Sequence, residues 1–402
     1  MAFGMMQQTA APIAVEFGVG SLKALQLEPG AGAPALLAAA CLETPEELRA
    51  EHEGRLAFQC ERLAALLKGA GFKGRRAICS IPAAFTLVQH LQLVKTDGGS
   101  LTDQIGERLR STLNCDPGRV VIRHIEVGDL LRGGGARTEV ICFAVARDMV
   151  MRIMSALRGA KCEVIGAHSE HVAMARAFDR VTRRTSDADL TSLYLDLGAG
   201  SSKVVMTRGT RVMFAKTIQV AGSDLDSAVA AHLRCQPAEA RARRLTMGRE
   251  MPKPEPVRAA ATAPPSAGPS SDDDVSVADD RRVGAVAPGL TAPVGSEAVD
   301  ALAEPLRDPL DALAAEVSMC IRYHERHFSD TPVGRCVFVG GEARDAALCR
   351  RIAERLRLPA QIGDPMSCVK RSGKESTRGV DFSAPQPGWA VPFGLSFAPR
   401  NL

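Results

Sequence analysis

Two octapeptides constrain this chain more than any other feature. Glu16–Lys23 reads EFGVGSLK and Asp196–Lys203 reads DLGAGSSK. They begin 180 residues apart and share an acid, a Gly-x-Gly-Ser core and a closing lysine. Each follows a short apolar run, ending in Ile13-Ala-Val15 or Leu193-Tyr-Leu195, and each leads into another, KALQL or KVVM. Short apolar runs bounded by glycine read as strands. Each octapeptide is therefore expected to be a β-hairpin, with an acid ending its first strand and a glycine-rich turn beyond.

The chemistry of such a turn is phosphate binding. Glycine admits positive φ angles that aim successive N–H groups inward, and it lets an anion approach the backbone. Ser21, Ser201 and Ser202 add hydroxyl donors. The acid cannot face phosphate directly; its natural task is to hold Mg²⁺ or a metal-bound water. One glycine-rich turn is usually only a hairpin, so the matched pair carries the expectation. Two such hairpins facing each other would clamp a polyphosphate from both sides. A dinucleotide-binding fingerprint is excluded, because the sixth position is Lys23 or Lys203 rather than glycine and a strand follows. A Walker A loop is also absent: at Gly373-Lys374 the first glycine is replaced by Cys368, and Glu375 follows the lysine.

Composition narrows the remaining classes. The 402 residues allow two to four domains. Hydrophobic residues make up 46% and charged residues 24%, values of a folded chain. No apolar run reaches the length of a membrane span. Met1–Val15 carries no charge and so lacks the basic start of a signal peptide. A net charge of +4 and 4% aromatics point away from nucleic acid. The eleven cysteines contain no CxxC, so they read as small apolar side chains of a reducing compartment, the cytosol.

Residues 247–299 mark the clearest boundary. The stretch has no aromatic, no isoleucine, one leucine (Leu290) and eight of the 24 prolines. It cannot bury enough surface to offset chain entropy, so 247–298 is expected to be a disordered Pro/Ala/Asp-rich insert. Asp272, Asp273 and Asp274 lack the spacing of a calcium loop.

Elsewhere strand and helix signals alternate, which implies an α/β protein. Ala77–Pro82 and Leu87–Leu93 are expected to pair as strands, and 168–183 to be helical. His168-x-x-His171 and His324-x-x-His327 have metal-compatible helical spacing, but no third ligand accompanies them, and core or surface histidine is the simpler reading. The arginines at 234, 241, 243, 244 and 249 read as a solvated helix face.

Duplicated phosphate hairpins with a third glycine pair near the C-terminus, Val337-Phe-Val-Gly340-Gly341, resemble the actin-like ATPase superfamily. Within it the chain is similar to the PilM-like cytoplasmic proteins of type IV pilus assembly platforms. The similar segments are Ile13–Leu27, Ala77–Leu93, Cys142–Leu157, Tyr194–Asp226, Val337–Leu356 and Val391–Phe397, in that order. The resemblance implies an actin-like ATPase fold: two lobes, each a mixed β-sheet flanked by helices, plus a small inserted α+β subdomain. The first lobe would comprise 11–76, 147–190 and 385–402. The subdomain would comprise 77–146, with two strands on each side of a helix, and the second lobe 191–246 and 299–384.

The resemblance further implies ATP and Mg²⁺ between the lobes. Glu16, Gly18, Gly20, Ser21 and Lys23 match the first phosphate hairpin, and Asp196, Gly198, Gly200, Ser201, Ser202 and Lys203 the second. Glu16 and Asp196 would be the catalytic and metal-holding acids. Gly340 and Gly341 would pack against adenosine, with Glu239 and Arg243 beside the ribose or adenine. The implied role is a scaffold that receives the cytoplasmic N-terminal peptide of a single-span inner-membrane pilus assembly protein, with self-association open. The alternatives are a sugar- or acetate-kinase-like phosphotransferase of the same superfamily and a non-hydrolysing pseudo-ATPase. Two departures count against efficient hydrolysis more than against binding: Glu16 replaces the usual Asp, and Lys203 stands where relatives carry Asp or another polar residue. A cation there either replaces Mg²⁺ charge or points outward. No residue that would position an attacking water is identifiable.

Overall fold

The hairpin repeat belongs to a repeat of whole sheets. The computed structural model describes residues 10–30, 32–94, 100–113, 116–132, 135–179, 189–247 and 302–401. The insert expected at 247–298 therefore lies outside the described residues, apart from Met247 at a helix end.

The chain begins with β1 (Ile13–Phe17), β2 (Ser21–Glu28) and β3 (Ala35–Glu43), then α1 (Glu46–Arg49), α2 (His52–Lys68) and β4 (Arg76–Ile81). An excursion follows through β5 (Thr86–Val94), α3 (Leu101–Leu113), β6 (Val120–Arg132) and β7 (Gly135–Ala146). The chain then returns by α4 (Arg147–Gly159), β8 (Glu163–Ser169) and α5 (Glu170–Phe178). The second half holds β9 (Thr191–Leu197), β10 (Ser202–Arg208), β11 (Arg211–Ile218), α6 (Gly222–Leu233) and α7 (Pro237–Met247). After the insert come α8 (Ala303–His327), β12 (Val333–Val339), α9 (Ala346–Leu356), β13 (Ala360–Ile362), β14 (Ser376–Arg378) and α10 (Ala390–Leu395).

The two large sheets share one topology. The first runs β14-β3-β2-β1-β4-β8 and the second β11-β10-β9-β12-β13. In each, three strands form an antiparallel meander, and the first of them also pairs in parallel with a later strand that carries another. β14 is an added edge. Strands buried on both faces read as continuous apolar runs, and β1 and β9 are buried at every position.

Three layers of helix sandwich the two sheets. Ile13, Val15 and Phe17 face Leu56, Leu63, Ile153 and Leu157 of α2 and α4. Leu193, Leu195 and Leu197 face α6, α8 and α9. Between the sheets, α5 and α10 join Ala14, Leu25 and Ile78 of one sheet to Tyr194, Val205 and Val339 of the other in a single cluster. Phe178 stacks on Tyr194 at 5.0 Å between ring centres. The α5–α10 contact depends on Gly394, where a Cβ would stand 1.7 Å from the Ala173 carbonyl oxygen. Trp389 is buried at the head of α10, as a packing anchor.

Three expected boundaries shift. β4 does not pair with β5; it lies between β1 and β8, because its apolar run suits a strand covered on both faces. The subdomain therefore spans Thr86–Ala146 and has three strands rather than four, in the order β5-β7-β6. Ser376–Arg378 pairs in parallel with β3 and so belongs to the first lobe's sheet, although 299–384 was assigned to the second. The helix expected from His168 starts at Glu170: His168 and Ser169 finish β8, and the Ser169 hydroxyl caps α5 by accepting from His171 N. Residues 180–183 of that expected helix lie outside the described set.

The subdomain packs one face with α3, through Leu91, Ile105, Leu109, Val140 and Cys142. Its other side meets the second lobe. Glu139 is fully buried there; its Oε1 accepts from the Tyr323 hydroxyl at 2.8 Å and lies 2.9 Å from His90 Nδ1. Arg211 donates to the Val127 carbonyl at 2.8 Å. Burial alone would raise the Glu139 pKa, but the hydrogen bonds from His90 and Tyr323 outweigh it and hold the carboxyl below its usual 4.5. A depressed carboxyl stabilises the fold above the ordinary carboxylate range, and that contribution is lost as pH falls through the depressed value. Glu139→Gln is expected to cost about 1–2 kcal/mol at neutral pH. Urea midpoints measured from neutral to acid pH should fall more steeply for the wild type than for the variant. Parallel curves would contradict this assignment.

Candidate functional site

The duplicated turns meet. Gly18–Gly20 ends the β1 hairpin and Gly198–Gly200 the β9 hairpin. A Cβ at Gly200 would stand 2.8 Å from Val19 Cγ1, and one at Gly20 would stand 3.5 Å from the Ala199 Cβ. The two tips therefore touch, and both line one cleft between the lobes. Its volume is about 620 Å³, and Gly18, Ser21, Lys23, Gly198, Ser201 and Lys203 all line it. That volume falls within the range of small-molecule sites.

None of the four hairpin glycines needs a positive φ, contrary to expectation; among the glycines of the three matched turns only Gly340 has one, at +93°. At Gly18, Gly198 and Gly200 what excludes a side chain is space. A Cβ would lie 2.5 Å from Ser201 O at Gly198 and 3.0 Å from Ser21 O at Gly18. Each turn is also anchored from behind. Gln59, nearly fully buried, donates to Gly18 O at 2.7 Å and to Thr44 Oγ1 at 3.1 Å. Gly222 N and Ser223 N donate to Gly198 O and Ala199 O.

Strand register determines the electrostatics. Glu16 pairs opposite Lys23, and Asp196 opposite Lys203. Directly opposed residues share a face of the sheet, so acid and ammonium meet in each lobe. Lys23 Nζ lies 3.0 Å from Glu16 Oε2 and 2.7 Å from Gly388 O. Lys203 Nζ lies 3.0 Å from Asp196 Oδ2 and 3.1 Å from Glu170 Oε2. Glu170, the first residue of α5, also accepts from Ala83 N at 3.2 Å. Burial would lower the pKa of Lys203, but Asp196 and Glu170 outweigh it and hold the ammonium charged. Burial pushes Glu16 up, against the pull of Lys23. His171 sits beside this group, fully buried and between Ser169 and Thr217 hydroxyls; burial and Lys203 push its pKa down to about 3, so it is neutral. His168 belongs to β8 and binds Pro399 O at 2.9 Å instead.

The turn expected to pack against adenosine is Gly340–Gly341, which lines the same cleft. At Gly340 a Cβ would lie 2.2 Å from Asp196 Oδ1 and 2.4 Å from Leu197 O, so this turn rests directly on the second hairpin. Glu342 beyond it is buried and faces Arg244 Nη2 at 2.6 Å and Arg241 Nη1 at 2.8 Å. Asp226 of α6 completes the network, 2.9 Å from Arg244 and 3.1 Å from Arg241. Burial would raise the Glu342 carboxyl, but the two guanidiniums outweigh it and hold it low.

Most of the expected residues converge, with three exceptions. Ser202 is fully buried on β10 and gives its hydroxyl to Val220 O at 2.7 Å, away from the cleft. Glu239 and Arg243 pair with each other on the exposed face of α7. The cleft receives Ala238, Arg241, Ala242 and Leu245 instead. These positions recur at helical spacing about 100° away from the 239/243 face. The sequence reading missed Glu170, Gln59 and Gly388. Each comes from an element distant in sequence from the hairpins, and none sits in a recognisable motif.

Direct Mg²⁺ ligation by Glu16 and Asp196 fits poorly, because each carboxylate already holds a lysine ammonium through one oxygen. Asp196 Oδ2 is taken by Lys203, and Oδ1 packs on Gly340. Glu16 Oε2 is taken by Lys23. A hard divalent cation needs oxygens not already bound to another cation.

The convergence can be trapped covalently. A Cβ separation near 3.5 Å between positions 20 and 199 suits a disulfide. The double variant Gly20→Cys, Ala199→Cys is expected to cross-link under mild oxidation, read by mass spectrometry of the linked peptides. Failure to link, with both thiols modifiable, would contradict the meeting of the turns.

No family model and no curated protein sequence matches the chain. Among solved structures, a chain of the PilM-PilN type IV pilus biogenesis complex superposes with a TM-score of 0.68 at 18% identity, covering 96% of this chain and 98% of that one. The ethanolamine utilization protein EutJ from Carboxydothermus hydrogenoformans gives 0.47 at 13% identity over 97% and 93%. MreB 5 of Spiroplasma citri bound to AMPPNP gives 0.46 at 10% over 97% and 96%. The chain therefore has the two-lobed actin-like fold, in the version found in the PilM-PilN complex.

Proposed function

We propose that this chain is an ATP-binding scaffold of a type IV pilus assembly platform, or of a related secretion platform. It would act on the cytoplasmic side of the inner membrane and receive the cytoplasmic N-terminal peptide of a single-span membrane protein. One observation carries the reading: two matched glycine turns meet over a single cleft, in a fold shared along nearly its whole length with a chain of a pilus biogenesis complex. The phosphate end offers Ser21, Ser201 and two lysines, and the other end offers the Gly340–Gly341 turn with Arg241 beside it. No described helix is long and apolar enough to cross a membrane, and the reading assigns membrane contact to the partner. Nucleotide occupancy would bias the angle between the lobes, and with it the shape offered to the peptide.

Hydrolysis on this reading is slow at most. Glu170 Oε2 and Asp196 Oδ2 are both held by Lys203 Nζ, so neither oxygen is placed to take a proton from an attacking water. The same pairing disfavours the phosphotransferase alternative, which needs a carboxylate ready to deprotonate an acceptor hydroxyl.

Calorimetry of the full chain with ATP in magnesium buffer tests the nucleotide part. A micromolar or tighter Kd is expected, and Gly198→Val should weaken it by at least about tenfold. Absence of heat with both ATP and ADP would remove that part. Pull-down with cytoplasmic N-terminal peptides of single-span proteins encoded beside this gene, with and without ATP, tests the scaffold part. Capture of none would remove it.

A further inference from the structure

The resemblance implies a divalent cation at the acids, and the acids already hold cations. We propose that the ammonium of Lys203, wedged between Asp196 and Glu170, takes the place of the divalent ion in this cleft, with Lys23 as its counterpart in the other lobe, so that a nucleoside triphosphate binds without magnesium. The inference rests on the nucleotide-binding reading and specifies how that site handles phosphate charge.

Four features of the geometry carry it. First, the lysines are not surface groups that drifted inward. Each is opposite its acid in the hairpin register, Lys203 to Asp196 and Lys23 to Glu16, so the pairing is built into both sheets. Second, the Lys203 group is buried: the side chains of Lys203, Asp196 and Glu170 are 8%, 7% and 5% exposed. An ion that displaced the ammonium from Asp196 would leave a charge buried without its partner, which is strongly unfavourable. Third, Asp196 Oδ2 is held by Lys203, and Oδ1 lies so close to Gly340 that a Cβ there would stand 2.2 Å from it, which leaves little room for an ion between them. Fourth, an ammonium has three N–H donors. Lys203 directs two to Asp196 and Glu170, and Lys23 directs two to Glu16 and Gly388 O. Both side chains line the cleft, so each has a third donor for a phosphate oxygen. The two turns would then bring one ammonium each to the same polyphosphate, the charge service that a bridging metal gives elsewhere.

The test is a titration of the wild-type full chain with a fluorescent ATP analogue, once in EDTA and once in excess Mg²⁺. The two affinities are expected to agree within about fivefold. A larger loss in EDTA, restored by Mg²⁺, would overturn the inference and leave nucleotide binding intact. No binding in either buffer would overturn the nucleotide reading, and the inference with it. Lys203→Ala should create a magnesium requirement greater than about fivefold. Because that change leaves two buried carboxylates facing each other, Lys203→Ala combined with Glu170→Gln serves as the second variant, with the same expectation. A folded variant that binds equally well with and without Mg²⁺ would show that Lys203 is not the stand-in.

Discussion

Val19 rests against Gly200, and Ala199 rests against Gly20. The proposed nucleotide site depends on that contact between two tips that are remote in sequence. It requires the two sheets to be held at a fixed separation, and the α5–α10 layer packed between their faces supplies that separation. The close approach of Gly394 to Ala173 holds the layer together, and Phe178 stacked on Tyr194 fixes it to the second sheet. Gly18 and Gly198 are needed because neighbouring carbonyls leave no room for a Cβ, and Gly200 because Val19 packs on it, not because of unusual backbone angles. The duplication thus does two things at once: it builds two similar sheets, and it brings two similar turns to one place.

Charge at that place is handled locally. Each hairpin carries its own acid and its own lysine, in register, so a buried carboxylate never lacks a partner. Glu170 joins the second pair from the start of α5, which couples the hairpin end of the cleft to the helix layer between the lobes. A second charge cluster, Asp226, Arg241, Arg244 and Glu342, fixes α6 and α7 to the turn after β12 at the other end of the cleft. The cleft is therefore bounded by two rigid ionic clusters, one beneath each expected end of a nucleotide.

Much of this was legible in the sequence. The octapeptides announced both hairpins, and the two-lobed fold was implied by the family resemblance that they and the Gly340–Gly341 turn carry. What escaped did so for physical reasons. β3 is rich in alanine, a poor strand former, and is held by packing between β2 and β14 over α2. β4 was grouped with β5 because adjacent runs usually pair, whereas an excursion of β5, α3, β6 and β7 begins between them. On α7 the helix was located but its rotation was not, so Glu239 and Arg243 were named where Arg241 faces the cleft. Ser202 looked equivalent to Ser201, but strand alternation turns successive side chains to opposite faces. Glu170 could not be found without the sheet order that brings it to Lys203.

The account stands on both turns engaging one ligand. A crystal structure of the full chain with a non-hydrolysable ATP analogue measures this directly. The phosphates should lie within hydrogen-bond distance of backbone N–H groups from both the Gly18–Gly20 and the Gly198–Gly200 turns. An analogue held by one turn alone, or bound outside the cleft between the lobes, would contradict it.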